Sequence, residues 1–175
     1  MSVRLGPLRP RDRARVAELL VSTAVFSRDE IDVALQLFDA TVHGEGDGGA
    51  DDAHVSDYEF TGAFDGERLL GYACSGPTPA TEGTFDLYWL AVDAAAQGKG
   101  IGTTLVRAVE RELRDRGARM VLVETSSRSD YSNTRAFYAR CGYREAARIK
   151  DFYAPADDRI MLTTRLTPER GAATR

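Results

Sequence analysis

Cysteine and histidine are scarce in this 175-residue chain: Cys74 and Cys141 lie far apart, and neither keeps a metal-ligand spacing with His43 or His54. That speaks against a disulfide framework and against a metal site, and it leaves two reduced thiols in apolar surroundings. Long apolar runs are missing too. No stretch approaches the roughly 20 apolar residues that cross a bilayer, and residues 1–10 hold no apolar leader segment. A cytoplasmic protein, neither secreted nor inserted in a membrane, is expected. An excess of positive charge is also lacking, since 23 Lys and Arg face 27 Asp and Glu for a formal charge of −4. A protein that holds nucleic acid through its phosphates would be basic. Internal repeats are absent, and the one compositionally biased tract is Gly44–Ala53, read as a mobile acidic loop.

What is present suits a packed globular fold: 43% of residues are hydrophobic and 29% charged. The length suits one domain, expected over residues 1–167, followed by a tail at 168–175. Val3 and Leu5 open a first strand. After Pro10, residues Ala14, Val16, Ala17, Leu19 and Leu20 make one apolar helical face. Ser27 and Glu30 form a capping box that starts a second helix through Ile31, Leu35 and Phe38. Two strands, Glu59–Phe64 and Arg68–Cys74, are expected to turn at Asp65–Gly66, and a third, Thr84–Val92, carries Phe85, Tyr88 and Trp89. A helix over about 100–116 with Gly117 as its C-cap, a strand at 119–125, a short helix at 134–140 stopped by Gly142, and strands at 143–149 and 159–166 complete the pattern.

The densest signal is Gln97-Gly98-Lys99-Gly100-Ile101-Gly102, between a strong strand and an amphipathic helix. Glycines there let the backbone turn and approach a ligand, while amides of the first helical turn point outward with the positive end of the helix dipole behind them. Such a loop binds phosphate. The Walker pattern fails because Lys99 is followed by Gly100, and the dinucleotide fingerprint fails because the spacing is G-x-G-x-G.

Gln97-x-x-Gly100-x-Gly102 instead resembles the Q/R-x-x-G-x-G/A motif of the Gcn5-related N-acetyltransferases, the GNAT superfamily. Tyr138-x-x-x-Gly142-Tyr143 is similar to that family's second motif, Y-x-x-x-G-F/Y. The resemblance covers residues 84–116 and 132–149. It implies an α/β fold with a mixed, mostly antiparallel sheet of about seven strands flanked by about four helices. It also implies an N-acetyltransferase that moves an acetyl group from acetyl-CoA, as cosubstrate and with no metal, to a primary amine of a small molecule or peptide. CoA contacts are implied for Leu90, Ala91, Val92, Gln97, Gly98, Lys99, Gly100, Ile101, Gly102, Thr103, Asn133 and Tyr138. Many relatives carry an asparagine seven residues before the tyrosine, where this chain has Tyr131, so Asn133 also fits a role at the helix N-terminus.

Amine attack on a thioester expels a thiolate. A phenol, protonated at pH 7 with an ordinary pKa of about 10, can protonate that sulfur, and Tyr138 is the expected acid. For the base, Asp86 on the strand before the loop and Glu124 near the end of the next strand are the candidates. Alternation sets Asp86 on the face of Tyr88 and Leu90. A backbone N–H near Leu90 or Val92 would polarise the carbonyl. Cys141, beside a C-cap, is expected in the core rather than as a nucleophile. Tyr58, Tyr72, Tyr88, Trp89, Phe152 and Tyr153 are candidate acceptor-pocket residues. The partner is then a small amine, with no nucleic acid and no membrane, for a monomer or homodimer. A non-catalytic CoA-binding sensor and an enzyme for longer acyl-CoA are the rival readings.

Overall fold

The computed structural model describes residues 2–43 and 57–166. The Gly44–Ala53 loop, His54 and the 168–175 tail lie outside them. Strand β1 (Val3–Pro7) leads through a 3-10 turn at Pro10–Asp12 into helix α1 (Arg13–Ser22). Val16, Leu19 and Leu20 of α1 are fully buried. Each such side chain contributes roughly 1.5–3 kcal/mol, which is what sustains a ten-residue helix too short to stand alone in water. Ala14, expected on the same face, is exposed; two residues from Val16 is about 200° around a helix of 3.6 residues per turn. Helix α2 (Arg28–His43) begins as its capping box requires. The Ser27 N–H donates to Glu30 Oε2 (2.7 Å), and the Glu30 N–H donates to Ser27 Oγ (3.2 Å).

Strands β2 (Glu59–Asp65) and β3 (Arg68–Pro77) pair antiparallel to the last register, Asp65 opposite Arg68. The turn is therefore Gly66–Glu67 rather than Asp65–Gly66, with Gly66 alone at positive φ (61°). Strand β4 is Thr84–Val92, helix α3 Ile101–Asp115, strand β5 Met120–Ser126, helix α4 Ser132–Arg140, strand β6 Arg144–Ala154 and strand β7 Asp157–Arg165. The β6–β7 hairpin is longer than the sequence suggests. Its turn places Ala156 (φ 64°), and an irregularity within β6 places Asp151 (φ 52°), neither of them glycine, in the left-handed region. Side-chain oxygen supports it: the Ala156 N–H donates to Asp151 Oδ1 (2.6 Å) and the Asp151 N–H to Asp158 Oδ1 (3.1 Å).

Hydrogen-bonded neighbours run β1-β2-β3-β4-β5-β7-β6 in a seven-stranded sheet. Pairs β1/β2, β2/β3, β5/β7 and β6/β7 are antiparallel and β4/β5 is parallel. A parallel pair cannot be joined by a hairpin. The β4-to-β5 connection accordingly contains a helix, α3.

Two compact units are distinguished, residues 1–76 with 87–109, and residues 77–86 with 110–175. In the first, Leu8, Val16, Leu19, Leu20, Phe38, Phe60, Phe64, Leu69 and Tyr72 form one apolar cluster. Phe38 meets Phe60 edge-on at 5.4 Å, and Phe60 stacks on Tyr72 at 6.1 Å. In the second, Val121, Leu122, Val123, Tyr138, Tyr143, Ile160 and Leu162 are buried. Helix α3 ends where expected, with Gly117 at φ 80° and the Ala118 N–H donating back to the Leu113 carbonyl (2.9 Å).

A Cβ at Gly117 would meet no atom within 4 Å, so substitution there costs only the left-handed backbone. Gly117→Ala is expected to lower unfolding stability by about 1–2 kcal/mol, read as a lower urea midpoint with an unchanged denaturant slope.

Candidate active site

Strand β4 stops at Asp93, which caps the 3-10 turn Ala94–Ala96 by accepting the Ala95 N–H at Oδ1 (3.0 Å) and the Ala96 N–H at its carbonyl (2.8 Å). Gln97 is extended, and Gly98 (φ 74°) and Gly100 (φ 81°) take left-handed conformations that glycine adopts freely and other residues only with backbone strain. Gly102, expected to help turn the chain, lies inside α3 and has no positive φ. The Thr104 N–H donates to the Gly100 carbonyl (2.9 Å), starting the helical ladder. Amides of Ile101, Gly102 and Thr103 precede it, so the first turn offers donors to a ligand. Gln97, Gly98, Lys99, Gly100 and Thr103 are exposed. Gln97 Nε2 donates to the Val92 carbonyl (3.3 Å) and Lys99 Nζ to that of Ala95 (2.9 Å). Leu90 and Val92 are half-buried and Ala91 is buried.

Under this loop lies an ion cluster that pattern reading missed. Asp93, only 8% exposed, takes Arg68 Nη2 on Oδ2 (2.9 Å) and shares that oxygen with Arg15 Nη2. Arg15 Nε also donates to the Leu69 carbonyl (3.1 Å), and the Asp93 N–H donates to that of Leu70 (2.8 Å). The Ala95 amide, joined by Arg15 and Arg68, holds the Asp93 carboxyl below its ordinary range against the opposing effect of burial. A sequence signal existed, an aspartate at a cap position before three alanines. Its guanidinium partners stand 78 and 25 residues away and gave no local sign.

In the other unit, α4 carries Tyr138. Its phenol is buried, edge-on to Phe137 at 5.1 Å and to Tyr143 at 5.4 Å. Burial, reinforced by Cys141, pushes its ionisation upward, so it is a neutral donor throughout the physiological range. Gly142 (φ 92°) closes the helix, and the Tyr143 N–H returns to the Tyr138 carbonyl (3.0 Å). Tyr143 is raised as well, by burial and then by Glu110, a carboxylate buried on α3. Asn133 is exposed in the first turn of α4, while Tyr131 holds the cap position and makes no side-chain cap. Cys141 and Cys74 are buried and form no disulfide.

The carboxylates differ. Asp86 is half-buried and accepts Thr78 Oγ1 at Oδ2 (2.6 Å). Glu124 has Oε1 bonded by the Tyr153 hydroxyl and Oε2 ion-paired with Arg159, whose guanidinium also lies 4.9 Å from the Phe152 ring centre. Phe152 and Tyr153 are about half exposed, whereas Tyr72 is core and Tyr58, Tyr88 and Trp89 pack against the apolar cluster of the first unit. A shallow cavity of about 290 Å³ is lined by Phe85, Arg116, Arg119 and their neighbours and contains none of the candidate site residues. Among the described residues no group of three or more His, Cys, Asp or Glu could hold a metal ion.

A family model for the acetyltransferase (GNAT) family matches residues 17–143. A crystal structure of a GNAT-family protein from Desulfovibrio desulfuricans is 37% identical, covers 95% of this chain and 100% of its own, and superposes with a TM-score of 0.84. The fold is shared with the PaiA N-acetyltransferase from Thermoplasma acidophilum in complex with coenzyme A (17% identity, 94% and 99% covered, TM-score 0.68). It is shared too with the aminoglycoside 6'-N-acetyltransferase from Enterococcus faecium (16% identity, 95% and 98% covered, TM-score 0.69). No curated protein sequence matches. The chain belongs to the GNAT acetyltransferase family and is an acyltransferase enzyme.

A depressed carboxyl pKa stabilises the folded state at pH above the unfolded value, about 3.9 for aspartate, and this contribution is lost as pH falls through the folded value. Asp93→Asn is therefore expected to be less stable than the parent protein at pH 7, with the gap closing below pH 4. Unfolding curves across that range measure it.

Proposed function

We propose that the enzyme transfers the acetyl group of acetyl-CoA to a primary amine of a small molecule by direct attack in a ternary complex. The observation that carries this is the turn at Gly98 and Gly100 into the amide-rich start of α3, a cradle for a pyrophosphate. Gln97–Thr103 hold the pyrophosphate in this reading, and the backbone at Leu90–Val92 receives the pantetheine arm and polarises the thioester carbonyl. Asn133 assists from α4. One domain over residues 1–167 does the chemistry, in the cytoplasm.

The amine nitrogen bonds to the thioester carbonyl carbon, the C–S bond breaks, and the CoA thiolate takes the Tyr138 proton. The second proton that the nitrogen sheds as it becomes an amide returns through solvent to the Tyr138 oxygen. The ammonium proton passes first to Asp86 or Glu124, directly or through water. Tyr138 is protonated at physiological pH and so has a proton to give when the thiolate leaves. Asp86 is held by Thr78, whereas Glu124 would have to exchange contacts with Tyr153 and Arg159 to meet an amine. A cationic acceptor suits the formal charge of −4. It also accords with the amine substrate named for the aminoglycoside acetyltransferase that shares the fold.

Thiol release from acetyl-CoA over a panel of amines tests the activity, and release with none of them would sink it. With an active amine, Tyr138→Phe is expected to lower kcat about 100-fold and leave CoA affinity unchanged; full turnover would remove Tyr138 from the acid role. Asp86→Asn and Glu124→Gln identify the base. The variant that loses the acidic limb of the kcat/KM profile carried it, and two unchanged profiles would reject both carboxylates.

A further inference from the structure

We propose that Asp93 is the positioning residue for cofactor capture: it touches no ligand, but it holds the Gln97–Thr103 loop in its binding shape and so sets the affinity for CoA. This rests on the reading that the loop holds the CoA pyrophosphate.

The glycine half of the loop has little packing of its own. Gln97 to Gly100 are exposed, and a Cβ built on Gly98 or Gly100 would meet no atom within 4 Å. Ordering a free backbone costs about 1–2 kcal/mol per residue, a cost that falls on ligand binding unless the ends of the segment are fixed beforehand. Downstream, α3 fixes one end, with Ile101 and Leu105 buried. Upstream, the only buried anchor between β4 and the glycines, apart from Ala96, is Asp93.

Its amide, its carbonyl and both carboxylate oxygens are all engaged. They reach the Leu70 carbonyl, the Ala96 and Ala95 amides, Arg68 and Arg15. Bonds continue into the loop from there, because Lys99 Nζ donates to the carbonyl of Ala95, whose amide Asp93 caps. An ion cluster around one buried carboxylate is a poor device for stability, since its desolvation offsets much of the attraction. It is a good one for geometry. Three elements, α1, β3 and the turn, meet at one carboxylate, and the Arg15 guanidinium is itself fixed in place by the Leu69 carbonyl and Glu18.

Titration of Asp93→Asn with CoA and with pantetheine, which keeps the thiol arm but lacks the pyrophosphate, separates the possibilities and requires no amine. CoA affinity is expected to fall about tenfold, with pantetheine affinity unchanged. Equal loss of both ligands, marking a general structural defect, would overturn the proposal, and so would unchanged CoA affinity. Wild-type protein that binds CoA no better than pantetheine would instead overturn the pyrophosphate reading itself. If Asp93→Asn fails to fold, Arg68→Met removes one partner whose side chain is 64% exposed. It is expected to weaken CoA about threefold without moving pantetheine, and an unmoved CoA affinity there would count against the proposal.

Discussion

A carboxylate with almost no water around it decides where β4 ends. Asp93 draws two guanidinium groups from α1 and β3 and an amide from the turn that follows it. A strand continuing past this point would pull the carboxylate from its partners and leave the buried Asp93 charge unpaired, which is strongly destabilising. The chain therefore turns there, and everything the glycine loop can do starts from that fixed point. Glycine supplies freedom, and the ion cluster removes freedom. A binding loop built from exposed glycines needs both.

Burial plays a second part on α4. Tyr138 is surrounded by Phe137, Tyr143 and Cys141, and the low polarity that makes the phenol a retained acid also fixes its ring. The two carboxylates live under different constraints. Asp86 sits on a sheet strand with a threonine hydroxyl on one oxygen, while Glu124 is knotted into an arginine, a tyrosine and, through the arginine, a phenylalanine ring. Identical chemistry in isolation thus becomes unequal once neighbours are in place.

Much of the fold was readable along the chain because its signals are local. The Ser27–Glu30 box, the helix stops at Gly117 and Gly142, and the strand at Thr84–Val92 each depend on residues within one turn or one strand, and each stands where the pattern put it. Errors fell where a local signal was missing or ambiguous. Ala156 in the turn and Asp151 within β6 take left-handed backbone without glycine, so the pattern ends the 143–149 strand, and starts the 159–166 strand, short of where β6 and β7 meet. Gly102 looked like a turn residue beside two that are, yet it lies within the helix. Ala14 counted as apolar and faces water.

The sequence by itself determined the family and the two motifs, because backbone freedom at Gly98 and Gly100 and the helix stop after Tyr138 are written in adjacent residues. Only the tertiary structure decided that Asp93 is bound to Arg15 and Arg68, that Tyr138 is enclosed, and that Glu124 is engaged by Arg159 and Tyr153. Partners up to 78 residues apart leave no periodicity and no spacing to read. Charge and burial belong to what surrounds a side chain in space, and that is settled only when the sheet is paired and the helices are packed.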